Sequence, residues 1–459
     1  MCIIQADSGE NYETSLKNLL ARMNRINVWS LPTAFLGIIG IGYFFTFYDI
    51  SDIGLAMPAI EVQFQLQGPI ILFLALSIGL IGYAIGSYVI GTASDLFGRY
   101  RTMILTMGLT ALGSFGDAFS VNVPMLVVFR FITGIGLGAD LNLVSVYVSE
   151  FAPPNIRGKI TVFTFMIGIL GQSVTPLIGY YLVPSSAFGW RYLFIIGGAI
   201  AVVALGLRFE LPESPRWLAI RKRNIAKASL IVDQMERVAT KKEGKLREPE
   251  PENVEIEDNK FPTLYLFRRP YSTRLAVLVV MWFLWYIGNY AFLGDAATLV
   301  SNLGVSIASS ILYLVVGAIG YPVGAAIMIF VSDKLQRKIL IFIDTVVWFF
   351  GMIIFGLATK DALFIGAFLG SLGLGMYLQV AYTFTAESYP TRARTSGFAL
   401  TDGIGHGGGA LGAILLPVLV AAYSFSFGFT FIAITGLVAG IVALLGPVAS
   451  KRSLENISK

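Results

Sequence analysis

Apolar runs of about twenty residues recur along the chain, separated by short polar connections. Twelve can be read, at 32–57, 69–93, 102–120, 124–149, 159–183, 190–209, 274–300, 307–332, 339–358, 362–386, 396–422 and 427–448. Each approaches the roughly 20 residues that a helix needs to cross the hydrocarbon core of a bilayer. The pattern breaks once, between runs six and seven. There Lys241-Lys242-Glu243-Gly244-Lys245 and the acidic stretch from Glu248 to Asp258 cannot build an apolar core. The segment from Arg216 to Ala239 has helical periodicity and is expected to form an amphipathic helix on the membrane face, followed by a flexible linker. This gives a tail (1–31), a six-helix bundle (32–210), a central loop (211–273), a second six-helix bundle (274–448) and a tail (449–459). The expected class is an all-α integral membrane protein.

Composition agrees. Of 459 residues, 56% are hydrophobic and 13% charged, where a soluble protein is about a quarter charged. With a mean hydropathy of +0.74, soluble domains could not hide so much apolar surface. The net charge of +5 does not indicate nucleic acid, because the basic residues sit between apolar runs, where they set topology. Arg99, Arg101, Arg157, Lys159, Lys334, Arg337, Lys338, Arg392 and Arg394 fall on one side, with both termini, and only Arg191 and Lys360 on the other. The basic side is expected to be cytoplasmic, in a cell membrane. The first apolar run lacks a small-residue cleavage site and reads as a retained anchor. One cysteine, Cys2, and one histidine leave no metal-ligand spacing. No cofactor, metal or catalytic constellation is expected.

The two halves repeat each other. Ser94-Asp95 and Arg99 return as Ser332-Asp333 and Arg337, 238 positions later; Glu150, Pro153 and Arg157 return as Glu387, Pro390 and Arg394, 237 later. Parallel duplication of a six-span unit marks transporter folds with the solute site at the midplane between the halves.

Gly91-Thr-Ala-Ser-Asp95-Leu-Phe-Gly98-Arg99-Tyr-Arg101 resembles the signature loop of the major facilitator superfamily. Glu150-Phe-Ala-Pro153-Pro-Asn-Ile-Arg157-Gly158, Pro212-Glu213-Ser214-Pro215-Arg216-Trp217-Leu218 and Glu387-Ser-Tyr-Pro390-Thr-Arg-Ala-Arg394 are similar to its sugar-porter and metabolite:proton-symporter branch. Arg130-Phe-Ile-Thr-Gly134-Ile-Gly136-Leu-Gly138-Ala-Asp140 fits the niacin-transporter and SV2-like members. Physically, Gly91 would permit close helix approach, and Asp95 could face the positive end of a neighbouring helix. Arg99 and Arg101 could pair with Glu150 or Glu213, with Arg157 and Arg216 nearby. Such a gate on the basic face must break in one of two alternating states. In the second copy Gln336 and Ile329 depart from the pattern, so the Asp333, Arg337, Glu387 and Arg394 latch is expected to be weaker.

Charges inside a membrane are costly and point to function. Asp49 and Asp52 lie one turn apart in the outer part of span one, Asp52 at the solvated mouth, and Arg130 lies at matching depth in span four. The resemblance implies that Phe47-Tyr48-Asp49 and Arg130 match the proton-coupling Asp and Arg of proton-driven porters. A carboxylate paired with Arg keeps its charge; parted from it in an apolar cleft, it takes up a proton. Asp140 could equally line the cavity or pack against a neighbouring span. By the repeat offset, Asp49, Arg130 and Asp140 correspond to Tyr286, Ala367 and Tyr377. The N half is therefore expected to hold the charges and the C half the solute.

Solute contacts are expected from Gln172, from Trp282, Trp285, Tyr286, Asn289 and Tyr290 of span seven, from Tyr377, Gln379 and Tyr382 of span ten, and from Asp402 and His406 of span eleven. Hexose porters carry glutamines where this chain has Phe283-Leu284 and Phe165. Arg130, His406 and the aromatic cluster suit a small organic or aromatic acid better than a sugar. The expected function is proton-coupled symport of such a metabolite by a monomer in the lipid bilayer. A sugar porter or a proton-independent uniporter is the alternative; an efflux antiporter and a non-transporting receptor come after these.

Overall fold

The computed structural model describes residues 9–66, 69–153, 156–249, 263–269, 271–332, 334–389 and 394–447. Among these residues the regular structure is helical, with no strand. Before the first span lies α1 (Gly9–Asn24). The first half of the membrane region contains α2 (Ala34–Phe64), α3 (Pro69–Phe97), α4 (Arg99–Ala118), α5 (Val123–Phe151), α6 (Arg157–Leu182) and α7 (Gly189–Arg208). Two helices follow outside it, α8 (Pro215–Ile220) and α9 (Ile225–Glu243). The second half contains α10 (Tyr271–Ser301), α11 (Ile307–Gly317), α12 (Gly320–Val331), α13 (Arg337–Phe355), α14 (Lys360–Ser388), α15 (Arg394–Ala422) and α16 (Phe425–Ala443).

All twelve predicted spans coincide with helices, and 11 segments among the described residues are long and apolar enough to cross a membrane. The exception is α4, whose Thr102, Thr106, Thr110, Ser114 and Asp117 are all buried. Its polar side faces protein, so its lipid-facing side alone, with Leu105 and Leu112 exposed, has to be apolar. The eighth span is two helices, α11 and α12. Pro322 offers no N–H to the carbonyl four residues back, and Gly317 and Gly320 flank the break.

The helix pairs repeat between halves. The pairs α2 with α6, α3 with α5, α4 with α5 and α4 with α7 find counterparts in α10 with α15, α12 with α14, α13 with α14 and α13 with α16. Across the middle, α2 meets α10, α3 meets α15, and α6 meets α11 and α12. The α2–α10 approach is backbone-close, since a Cβ on Gly54 would collide with the Leu293 carbonyl.

The amphipathic helix expected over Arg216 to Ala239 is instead two. The chain turns at Arg223, with φ of 51°, and Asn224 caps α9 by accepting from the Lys227 N–H at 3.0 Å. Onto α9 packs α1, which the hydropathy pattern did not reveal. Leu16, Leu19, Leu20 and Met23 are buried with Ala228, Val232 and Met235. Arg22 pairs with Asp233 at 2.5 Å and Glu236 at 2.6 Å, and Arg25 with Glu236 at 2.7 Å.

Candidate functional site

The motif between α3 and α4 works through a different glycine than expected. A Cβ on Gly91 would meet nothing within 4 Å. Gly98 instead has φ of +101° and lies against the Glu213 carboxylate. Glu213 accepts from the backbone N–H of Arg99 at 3.0 Å, Tyr100 at 3.2 Å and Ser214 at 2.9 Å, and so caps the start of α4. Burial raises its carboxyl pKa, opposed by these N–H donors and by Arg99. Arg99 pairs with Glu150 at 3.3 Å, and Arg337 faces Glu387 at 3.6 Å in the second half. The latch thus exists in both copies. Arg101 is exposed, and Arg216 bonds the Asn24 side chain at 2.8 Å. Asp333 and the side chains of Asp95, Arg157 and Arg394 lie outside the described residues.

Asp49 and Arg130 meet as expected, at 3.1 Å, and Ser114 donates to Asp49 at 3.1 Å. Arg130 has more partners than the sequence suggested. Asp117, in the last turn of α4, accepts from Nε at 2.7 Å and lies 2.6 Å from Nη2. Asp52 lies 3.6 Å from Nη1, beyond hydrogen-bond reach. Far from being solvated at a helix end, Asp52 is fully buried and lies within α2, which continues to Phe64. The Arg130 guanidinium also sits over the Phe194 ring at 5.0 Å. One cation therefore faces three carboxylates.

Asp140 does not reach the centre. Arg208 grips both of its oxygens, Nη2 to Oδ2 at 2.8 Å and Nη1 to Oδ1, and Thr106 donates to Oδ1 at 2.7 Å. Of the two alternatives for Asp140, the structure shows packing against a neighbouring span.

A narrow cavity lies between the halves, lined by Phe47, Tyr83, Gln172, Tyr286, Asn289, Tyr290, Tyr382 and His406 among others. A second narrow space adjoins it across Gln172 and Leu293. Six of the predicted contact residues line the first: Gln172, Tyr286, Asn289, Tyr290, Tyr382 and His406. The other five lie behind it. Trp285 stacks on Tyr377 with ring centres 3.7 Å apart, and Trp282 donates to Thr385 at 2.8 Å. Gln379 turns back to the Gly375 carbonyl at 3.3 Å. Asp402 supports the wall, accepting from the Tyr286 hydroxyl at 3.0 Å. Indoles and rings this large fill the interior between α10, α13 and α14, so helical spacing alone could not separate lining from packing. Phe47 and Tyr83 were missed as lining residues.

The expected separation of charges in the N half from solute groups in the C half fails. Asp295 in α10 and Asp344 in α13 are fully buried, and neither has a hydrogen-bond partner for its carboxylate oxygens.

Residues 42–459 match the family model described as sugar (and other) transporter. The niacin transporter NiaP of Acinetobacter baylyi is 28% identical over 454 residues, covering 96% of this chain and 99% of the relative. The 4-hydroxybenzoate transporter PcaK of the same organism is 28% identical, covering 81% of each chain. The solved proton:xylose symporter XylE superposes with a TM-score of 0.72 at 21% identity, covering 96% of this chain and 98% of that one. With twelve spans in two equivalent halves, a charged loop repeated in each and a cavity between them, this multi-pass membrane protein has the fold of the major facilitator superfamily and belongs to the sugar (and other) transporter family.

Proposed function

We propose that the protein is a proton-coupled symporter of a small aromatic metabolite. Residues 32–210 and 274–448 act as two bodies that expose the central cavity alternately to either side of the cell membrane. The basic loops mark the cytoplasmic face, with both termini there. The site is complete within one chain, so a monomer suffices.

The observation that carries proton coupling is the buried set of Asp49, Asp52 and Asp117 around one Arg130. Three carboxylates and one guanidinium leave the group short of positive charge, and a proton supplies it. Asp117 holds Arg130 most closely and serves as its anchor. Asp49 and Asp52 exchange the proton as a coupled pair. XylE, which shares the fold, is a proton:xylose symporter, and this supports the same coupling here.

The aromatic solute class follows from the lining of Phe47, Tyr83, Tyr286, Tyr290 and Tyr382. It accords with relatives named for niacin and 4-hydroxybenzoate. The case for an anionic solute weakens, because Arg130 is taken by carboxylates and no Lys or Arg is among the described residues lining the cavity.

The test is paired, in proteoliposomes, with a solute found by a thermal-shift screen of aromatic metabolites. Asp49→Asn keeps solute exchange, which needs no net proton movement, and loses uphill accumulation under an inward proton gradient. Uphill accumulation surviving in that variant would sink the coupling.

A further inference from the structure

We infer that the cavity recognises its solute through a hydrogen-bond donor on an aromatic ring, and that it discriminates against an ionised carboxylate. The inference rests on the central cavity being the solute site. Asp402, on α15, sets bond directions in this wall through two groups, its carboxylate and its backbone carbonyl. A carboxylate oxygen accepts. The Tyr286 hydroxyl donates to its Oδ1 at 3.0 Å, and the Tyr382 hydroxyl points to the same oxygen at 3.5 Å.

One turn on, His406 Nδ1 lies 2.8 Å from the Asp402 backbone carbonyl, which can only accept, so Nδ1 carries the proton. Nε2 of the neutral imidazole is then an acceptor, and the Tyr290 hydroxyl donates to it at 2.9 Å. Both imidazole nitrogens are bonded within the wall, Nδ1 also lies 3.5 Å from the Asp402 carboxylate, and the ring stacks on Tyr83 with centres 3.6 Å apart. His406 is not a free cation for an anion to find.

The consequence is chemical. With their hydrogens committed to Asp402 and His406, the hydroxyls of Tyr286 and Tyr290 turn lone pairs toward the cavity. A solute meeting them has to bring an N–H or O–H of its own. The other polar lining groups, the Tyr83 and Tyr382 hydroxyls and the Gln172 and Asn289 side chains, can act either way and carry no charge. An ionised carboxylate would face lone pairs with the Asp402 carboxylate behind them, in a place where desolvating a charge is costly. The rings supply stacking for a flat solute.

Benzamide and benzoate share ring and size and differ in this property: one offers N–H donors, the other acceptors and a negative charge. The purified wild-type protein, titrated with each at neutral pH, should bind benzamide about ten-fold more tightly or better. Asp402→Asn removes the charge and the fixed bond direction, and should bring the two affinities toward each other. Tyr286→Phe should weaken benzamide and leave benzoate unchanged. Tighter binding of benzoate than benzamide by the wild type, or binding of neither, overturns the inference. The proposed function fails by a different sign, the absence of proton-driven uptake of any aromatic solute, so the two failures are distinguishable.

Discussion

Removing the Arg208 guanidinium would strand a carboxylate where no water reaches it. Both side chains of the Asp140–Arg208 pair are 1% exposed. Arg208 makes two bonds to the carboxylate and a third to the Met103 carbonyl at 3.0 Å. Arg208→Met alone leaves the negative charge of Asp140 with only the Thr106 hydroxyl, and such a truncation costs about 3–5 kcal/mol. Asp140→Leu alone strands the cation and should cost a similar amount. Replacing both with apolar residues of like size removes the charge altogether and should cost little, since buried pairs exchanged for packed apolar groups come out about neutral or better. The double variant should therefore be more stable than either single one, with a coupling energy of about 3 kcal/mol or more across the cycle. Denaturant unfolding of the detergent-purified proteins, followed by tryptophan fluorescence, measures it. Additive losses would refute the reasoning. The double variant should also keep proton-driven uptake; its loss in a folded double variant would return Asp140 to the coupling machinery.

Gly98→Ala should destabilise by roughly 1–3 kcal/mol, because alanine tolerates a positive φ poorly and its methyl would meet Glu213. Gly91→Ala, in open space within a helix, should be neutral or gain up to about 1 kcal/mol; thermal melts of the two side by side decide it. Glu213 has a folded pKa raised above its ordinary 4.5, so its stabilising contribution is full below that ordinary value and is lost as pH rises through the raised one. Melting temperatures should show wild type losing ground to Glu213→Gln over that interval, and a constant difference would contradict it. Trp285→Ala should lower stability by about 3–5 kcal/mol with little direct effect on solute affinity, whereas Tyr382→Ala should weaken affinity. Equal losses of affinity in folded variants would place Trp285 in the solute site.

The twelve spans, the duplication and the latch were legible because their signals are local. Arg99 with Glu150 and Arg337 with Glu387 recur at offsets of 238 and 237 at the ends of their helices, where each charge stands out against apolar surroundings. The Asp49–Arg130 pair was legible from matching depth together with the resemblance of Phe47-Tyr48-Asp49 and Arg130 to the coupling positions of proton-driven porters. Asp117, Arg208, Asp295 and Asp344 were not, since each is a single charge averaged away within an apolar run. Asp117 could have been found: it closes α4 and α5 begins at Val123, so the hairpin returns Arg130 to within reach of it. Arg208 and Asp140 lie 68 residues apart on helices whose packing no local pattern specifies. Lining and packing aromatics in α10 share one spacing, and only the fold shows that Tyr286 faces the cavity while Trp285 faces Trp348 at 5.2 Å.

The docking of α1 on α9 imposes an order on biogenesis. The partners Arg22 and Glu236 are 214 residues apart, and translation runs at about 5–20 residues per second. For roughly 10–40 s, then, the ribosome has released a helix bearing Leu16, Leu19 and Leu20 on one side while its receptor does not yet exist. During that interval the stripe needs another cover, such as the membrane surface or a chaperone. Its transfer onto α9 can come only after the sixth span and α9 itself have been made.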